Sequence, residues 1–197
     1  MKRSILAVAA LVLVTAHPSL AADSKVKIYG MLAYVSPLAE SDQTVAGVTD
    51  AVKASSEIGY NFGLEFRASP LIGLEFDYLY ATQEVTADKA GLLGETTFQP
   101  ISGTLNLHVP LGMFDAYGGL TAAYVNWGDL KAPPPGVDVK VDPEFAYGIS
   151  GGLDLNLTPN LAATGGLRWL NLQAQPDGGE ALDVNPLFTR LGIAWRF

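Results

Sequence analysis

Glu57-Ile58-Gly59-Tyr60-Asn61-Phe62-Gly63-Leu64-Glu65-Phe66-Arg67-Ala68 is the stretch on which the fold turns. Its even positions are Ile58, Tyr60, Phe62, Leu64, Phe66 and Ala68, all apolar, while its odd positions are glycine, asparagine or charged. Successive side chains leave an extended chain on opposite sides, so this period-two pattern describes a strand with one greasy and one polar face. The run is also long. Strands of soluble proteins usually have about 5 or 6 residues, whereas a strand tilted across a bilayer needs about 9 to 11.

Outward from this stretch the pattern recurs. Ile72, Leu74, Phe76, Tyr78 and Tyr80 alternate with Gly73, Glu75, Asp77, Leu79 and Ala81. Ile101 to Val109 and Glu144 to Asn156 repeat it, and Lys25–Ser36, Met113–Trp127 and Leu161–Gln173 carry it less regularly. The final segment, Val184–Phe197, has an outward set of Leu187, Thr189, Leu191, Ile193, Trp195 and Phe197. The sequence thus predicts an all-β protein, an eight-stranded antiparallel up-and-down transmembrane β-barrel, with the even strand number of single-chain bacterial barrels.

The connections alternate in length. Ser69-Pro70-Leu71, Pro110-Leu111-Gly112 and Thr158-Pro159-Asn160 read as tight turns, as on the periplasmic side of such barrels. Residues 37–54, 83–95, 128–142 and 174–183 read as longer outer loops. Two aromatic belts fit this orientation: Phe66, Phe76, Phe114, Trp195 and Phe197 near the turns, and Tyr34, Tyr80, Tyr124, Phe145 and Trp169 near the loops. A soluble barrel with its greasy face inward is the alternative; strand length, the aromatic C-terminus and an export signal argue against it.

That signal occupies residues 1–22: Lys2 and Arg3, an apolar core from Ile5 to Val14, and the small-residue site Ser19-Leu20-Ala21. The apolar run stops at His17-Pro18, short of the roughly 20 residues of a spanning helix. Residues 23–197 are then one mature barrel domain. The chain has no cysteine, so its fold rests on no disulfide. A net charge of −8 makes nucleic acid an unsuitable partner. A mean hydropathy of +0.23, without a long apolar helix after the signal, requires an apolar face turned to something other than water.

Eight strands enclose a lumen just wide enough for side chains or one small ligand. Parity places charged groups inside near the periplasmic end: Lys27, Glu65, Arg67, Glu75, Asp77, His108, Asp115, Asp154, Arg190 and Arg196. Glu65, Arg67, Glu75, Asp77, Asp154, Arg190 and Arg196 are expected to pair as a polar plug, since unpaired ions in so narrow a space are costly. Near the outer end the inward set is apolar: Val35, Leu79, Phe98, Val125, Trp127, Leu170, Leu172, Val184, Pro186 and Phe188. Val35, Leu79, Phe98, Trp127, Leu170, Leu172 and Phe188 are the candidate channel-lining residues, forming either a pocket for small hydrophobic molecules or a minicore beneath the loops. The glycine pairs Gly118-Gly119, Gly151-Gly152 and Gly165-Gly166 either make room for bulky inward groups or thin the wall for a sideways exit.

Catalysis has little support. His108 is the single histidine beyond the signal, and Ser102, on its face, lies roughly 20 Å away along the strand. No spacing suggests a metal site, no glycine-rich loop precedes a helix, and no cofactor is implied. The expectation is a non-enzyme without a bound metal.

Several segments resemble the OmpW family of outer-membrane proteins. They are Ser69-Pro70-Leu71-Ile72-Gly73-Leu74-Glu75, Gly94-Glu95-Thr96, Ala116-Tyr117-Gly118-Gly119-Leu120 and the Gly148–Asp154 run. The ending is the strongest: Asp183-Val184-Asn185-Pro186, then Leu191-Gly192-Ile193-Ala194-Trp195-Arg196-Phe197. The resemblance implies a bacterial outer-membrane barrel with a narrow hydrophobic channel for passive passage of small hydrophobic molecules. It also implies that Leu191, Ile193, Trp195 and Phe197 form the signal read by the barrel-assembly machinery, with outer-membrane lipid as the surrounding partner. This chain departs from the family in its short last loop and in Trp195-Arg196, where tyrosine-arginine is usual. The alternative function is a closed structural barrel that acts through its extracellular loops.

Overall fold

A computed structural model of the protein describes residues 25–38, 41–45, 48–87, 91–132, 137–176 and 182–197; the expected signal segment lies outside them. Eight long strands form the wall: β1 (Val26–Pro37), β2 (Glu57–Ser69), β3 (Ile72–Ala87), β4 (Gly91–Leu111), β5 (Phe114–Trp127), β6 (Glu144–Asn156), β7 (Leu161–Asn171) and β8 (Pro186–Arg196). Each pairs antiparallel with the next. β8 returns to β1, with Lys27 opposite Arg196 and Pro37 opposite Pro186, so the sheet closes and has no free edge.

The greasy face points out. Ile58, Tyr60, Phe62 and Phe66 of β2, Leu120 of β5, Phe145, Tyr147 and Ile149 of β6, and Leu191, Ile193 and Trp195 of β8 are all exposed. Their odd-numbered neighbours on β2, Asn61, Glu65 and Arg67, are buried inside. A soluble barrel would show the reverse, and this inversion is stable only where hydrocarbon replaces water. Both expected aromatic belts lie on the outer surface, with Trp169 half-buried.

The three tight turns form at one end, where the start of β1 and the end of β8 also lie. Ser69 Oγ accepts hydrogen bonds from the backbone N–H groups of Leu71 and Ile72, and Thr158 Oγ1 does the same for Asn160 and Leu161. The middle turn is one residue later than expected: Leu111 faces Phe114, and Gly112 takes a φ of 67° at the first central position. Glycine reaches that conformation without strain.

At the opposite end the connections are more ordered than their polar composition suggests. β3 continues to Ala87 and β4 begins at Gly91, so most of the loop expected at 83–95 is strand. Ser41–Val45 pairs with Val48–Ala54, and Leu130–Ala132 with Val137–Val139. Val141–Asp142 pairs with Gln173–Pro176, which also pairs with Leu182–Asp183.

Candidate functional site: a lumen in two layers

The lumen is divided by height into ions and hydrocarbon. Its lowest tier surrounds Glu65, where Lys27 Nζ lies 2.5 Å from Glu65 and 3.2 Å from Asp154. Arg196 reaches Asp154 at 2.6 Å and also hydrogen-bonds Asn156. Arg67 pairs with Asp115 and approaches His108 Nδ1 at 2.9 Å, while His108 Nε2 meets Glu65. With its proton on Nε2, the imidazole donates to Glu65 and accepts from Arg67. Lys27 also sits 4.8 Å from the centre of the Tyr117 ring.

A second tier lies one step higher. Glu75 accepts from Tyr29 Oη at 2.6 Å, Asn106 Nδ2 at 2.8 Å and Arg168 Nη2 at 3.0 Å. Asp77 accepts from Asn61 Nδ2 and from Arg168 Nη1, each at 2.9 Å. Arg190 is held more loosely, its Nη1 3.3 Å from Asn61 Oδ1 and 3.4 Å from Glu75 Oε1. The seven plug residues expected from the sequence are all buried, Glu65, Arg67, Asp154 and Arg196 in the lower tier and Glu75, Asp77 and Arg190 in the upper. Arg168, which the sequence reading left out, is the link between Glu75 and Asp77. It precedes Leu170 by two residues, and strand parity alone places it inside.

Immediately above, the lining turns apolar. Ala33, Val35, Leu79, Ala81, Phe98, Ala123, Val125, Ala146, Leu170, Leu172 and Phe188 form one buried cluster, and Trp127 packs against it half-buried. Phe98 stacks on Phe188 at 5.9 Å between ring centres and lies 4.9 Å from Trp127. All seven candidate channel-lining residues thus meet in one layer. The layer is filled, not open. Where the two layers meet, Leu79, Pro100, Ser102, Arg168, Leu170, Phe188 and Arg190 leave only gaps too narrow for a water molecule.

The wall is not uniform. The β3–β4 ladder runs from Ile72–Leu107 to Tyr78–Ile101 and resumes at Ala81–Phe98, skipping Leu79, Tyr80, Gln99 and Pro100. Pro100 has no N–H to donate, which accounts for the interruption. On its other side Pro100 stays in register with Val125 of β5. The glycine pairs do not mark such a break. Gly118 faces Gly151 and Gly152 faces Gly166 in unbroken ladders. A side chain on Gly152 would strike the Tyr117 ring, so this glycine accommodates an inward tyrosine rather than thinning the wall. Of the two readings of the glycine pairs, Gly152 fits the first, room for a bulky inward group, and the ladder interruption lies on the β3–β4 seam.

His108 has no serine on either ring nitrogen, and its neighbours are Glu65, Arg67 and Asp115. Among the described residues no group of three or more histidine, aspartate or glutamate side chains is placed to hold a metal ion.

A closed eight-stranded barrel with a lipid-facing apolar band and an ionic interior defines the class: a bacterial outer-membrane β-barrel. The chain belongs to the outer membrane protein beta-barrel domain family, whose model matches residues 6–197. No curated protein matches it. Among solved structures it resembles OprG from Pseudomonas aeruginosa, with 17% identity over 88% of this chain and 96% of that one, at a TM-score of 0.78. AlkL, solved in lipid bilayers, is 16% identical over 93% of each chain, at a TM-score of 0.70. Outer membrane protein W of E. coli is 15% identical over 88% of this chain and 98% of that one, at a TM-score of 0.53. The fold is that of the OmpW-like outer-membrane barrels.

Proposed function

We propose that the protein passes small hydrophobic molecules across the outer membrane through its upper lumen and out through the β3–β4 seam. The observation that carries this reading is a juxtaposition. A packed apolar layer lies toward the loop end, an ion network of buried partners closes the floor, and the skipped stretch of the β3–β4 ladder lies at the level where they meet. An apolar solute entering from outside meets a floor it cannot cross without stripping ions of their partners. Lateral release into lipid needs only local parting of two strands already unpaired at four residues.

Because the apolar layer is filled, passage requires Phe98, Trp127 and Phe188 to swing aside. Such packing is held by non-directional contacts and can rearrange at lower cost than an ionic network. The filled layer also favours a second reading, a closed barrel whose extracellular loops bind a partner. We further infer that the exposed Leu191, Ile193, Trp195 and Phe197 face is what the barrel-assembly machinery engages during insertion. Phe197 then completes the β8–β1 seam through its backbone bonds to Lys25 and Val26.

The test is uptake of small apolar and small polar solutes by liposomes carrying the refolded protein, beside a Leu170→Arg, Leu172→Arg double variant. Faster apolar uptake that the variant abolishes supports the channel. Absence of flux for both solutes contradicts it and favours the loop-acting barrel.

A further inference from the structure

We propose that Arg190, with Ser102 and Arg168 beside it, binds the anionic head of a long-chain carboxylate whose tail occupies the apolar layer above. This rests on the channel reading and narrows its cargo from hydrophobic molecules in general to amphiphiles with an acid group.

The argument is a donor–acceptor count in the upper ionic tier. Its two carboxylates are already heavily engaged: Glu75 by Tyr29, Asn106 and Arg168, and Asp77 by Asn61 and both terminal nitrogens of Arg168. Arg190 is left with two long contacts through Nη1. Its Nε and Nη2 have no protein acceptor, although the residue is only 2% exposed. The same holds for Arg168 Nε and for the buried Ser102 Oγ. A guanidinium offers five N–H donors and no acceptor, and Arg190 Nε and Nη2 and Arg168 Nε stand without a partner, while the unpartnered acceptor of the tier, Asn106 Oδ1, leaves most of these donors unanswered. Buried donors without acceptors are destabilising, and a carboxylate supplies two oxygens that suit a guanidinium fork.

Placement decides which carboxylate fits. Arg190, Arg168 and Ser102 meet Leu79, Leu170 and Phe188 at the boundary of the two layers, where the side chains must part to admit a ligand. Each basic residue lies two positions below an apolar one on its own strand: Arg190 below Phe188, Arg168 below Leu170. A head bound there has its tail directed into Val35, Phe98 and Leu172 once the packed rings move aside. A small hydrophilic anion gains only the head contacts, whereas a chain of several methylenes also gains apolar burial with each one.

The experiment uses the full refolded barrel in lipid nanodiscs at about pH 8, where a carboxyl is ionised. Binding of decanoate labelled with 13C at its carboxyl is compared with that of methyl decanoate and acetate, against protein-free nanodiscs. The expected result is a distinct bound carboxyl resonance, with decanoate on the order of tenfold or more tighter than either comparison compound. Two variants are then measured, Arg190→Gln and Ser102→Asp. The second gives Arg190 an internal carboxylate, so it keeps the tier paired even where loss of the arginine prevents folding. Loss of the preference for acid over ester in the folded variants supports the assignment. Equal binding of acid and ester by the natural chain, or a preference that survives in Ser102→Asp, overturns it. The channel reading is judged separately by liposome flux. Flux of neutral solutes without acid binding rejects this inference alone, and Arg190-dependent binding without any flux rejects the channel alone.

Discussion

The lower and upper halves of the lumen are built from the same eight strands yet held by opposite physics. Below the level of Arg168 and Arg190, charged and amide groups fix one another by direction-specific bonds, many of them between strands far apart around the wall. Above it, rings and aliphatic chains touch without directional demands. The lower half therefore resists partial opening, because losing one partner strands another charge in a dry space. The upper half can exchange one packing for another. Division by height gives a barrel a fixed floor and an adaptable vestibule without any separate domain.

The comparison is broken first by removing the keystone of the floor. Arg168→Met leaves Asp77 without its arginine and Glu75 with one of its two, and is expected to destabilise the barrel by about 3–5 kcal/mol. Urea unfolding in vesicles, followed by gel mobility without heating, measures this. Adding Glu75→Gln and Asp77→Asn to the same variant is expected to recover much of the loss, because the uncompensated charges are gone. In the upper half, Phe98→Ala is expected to cost about 3 kcal/mol, at the low end for a buried phenylalanine. It should also raise flux of small apolar solutes, an effect no floor variant shares.

Smaller effects sharpen the picture. Gly152→Ala forces a methyl group against Tyr117 and is expected to cost about 1–3 kcal/mol by overpacking. Combining it with Tyr117→Ala should remove only part of that penalty in a double-mutant cycle, because the added methyl also meets the Gly165 backbone oxygen at 2.6 Å. Pro100→Val restores an N–H on the β3–β4 seam and is expected to stabilise by about 1 kcal/mol, the net value of one hydrogen bond. Slower flux of apolar solutes should accompany it, and unchanged flux would place the exit elsewhere.

Much of this architecture is legible in the sequence because strand parity is a hard rule. Once Ile58 to Ala68 is taken as outward, Asn61, Glu65 and Arg67 must be inward, and the structure has them so. Arg168 escaped because β7 alternates less cleanly: Ala162, Ala163 and the Gly165-Gly166 pair give its two faces little contrast. The upper ends of β3 and β4 escaped for a different reason. Thr82, Glu84, Glu95 and Thr97 carry polar groups outward, where those strands lack the greasy face that marks the others. The signal present was their density of β-branched residues, Thr82, Val85, Thr86, Thr96 and Thr97. Filling of the apolar layer could not be read at all. Pattern gives the direction of a side chain, whereas packing depends on how volumes from eight strands meet.

The most direct test of the account is to lock the β3–β4 seam. Tyr80 and Gln99 lie within the interruption, their side chains point outward, and the chain contains no cysteine of its own. A Tyr80→Cys, Gln99→Cys variant is therefore oxidised in liposomes and assayed for apolar-solute uptake before and after reduction. Uptake that falls when the disulfide forms and returns when it is reduced is the predicted result. Equal uptake by the oxidised and reduced barrels would contradict lateral release through this seam.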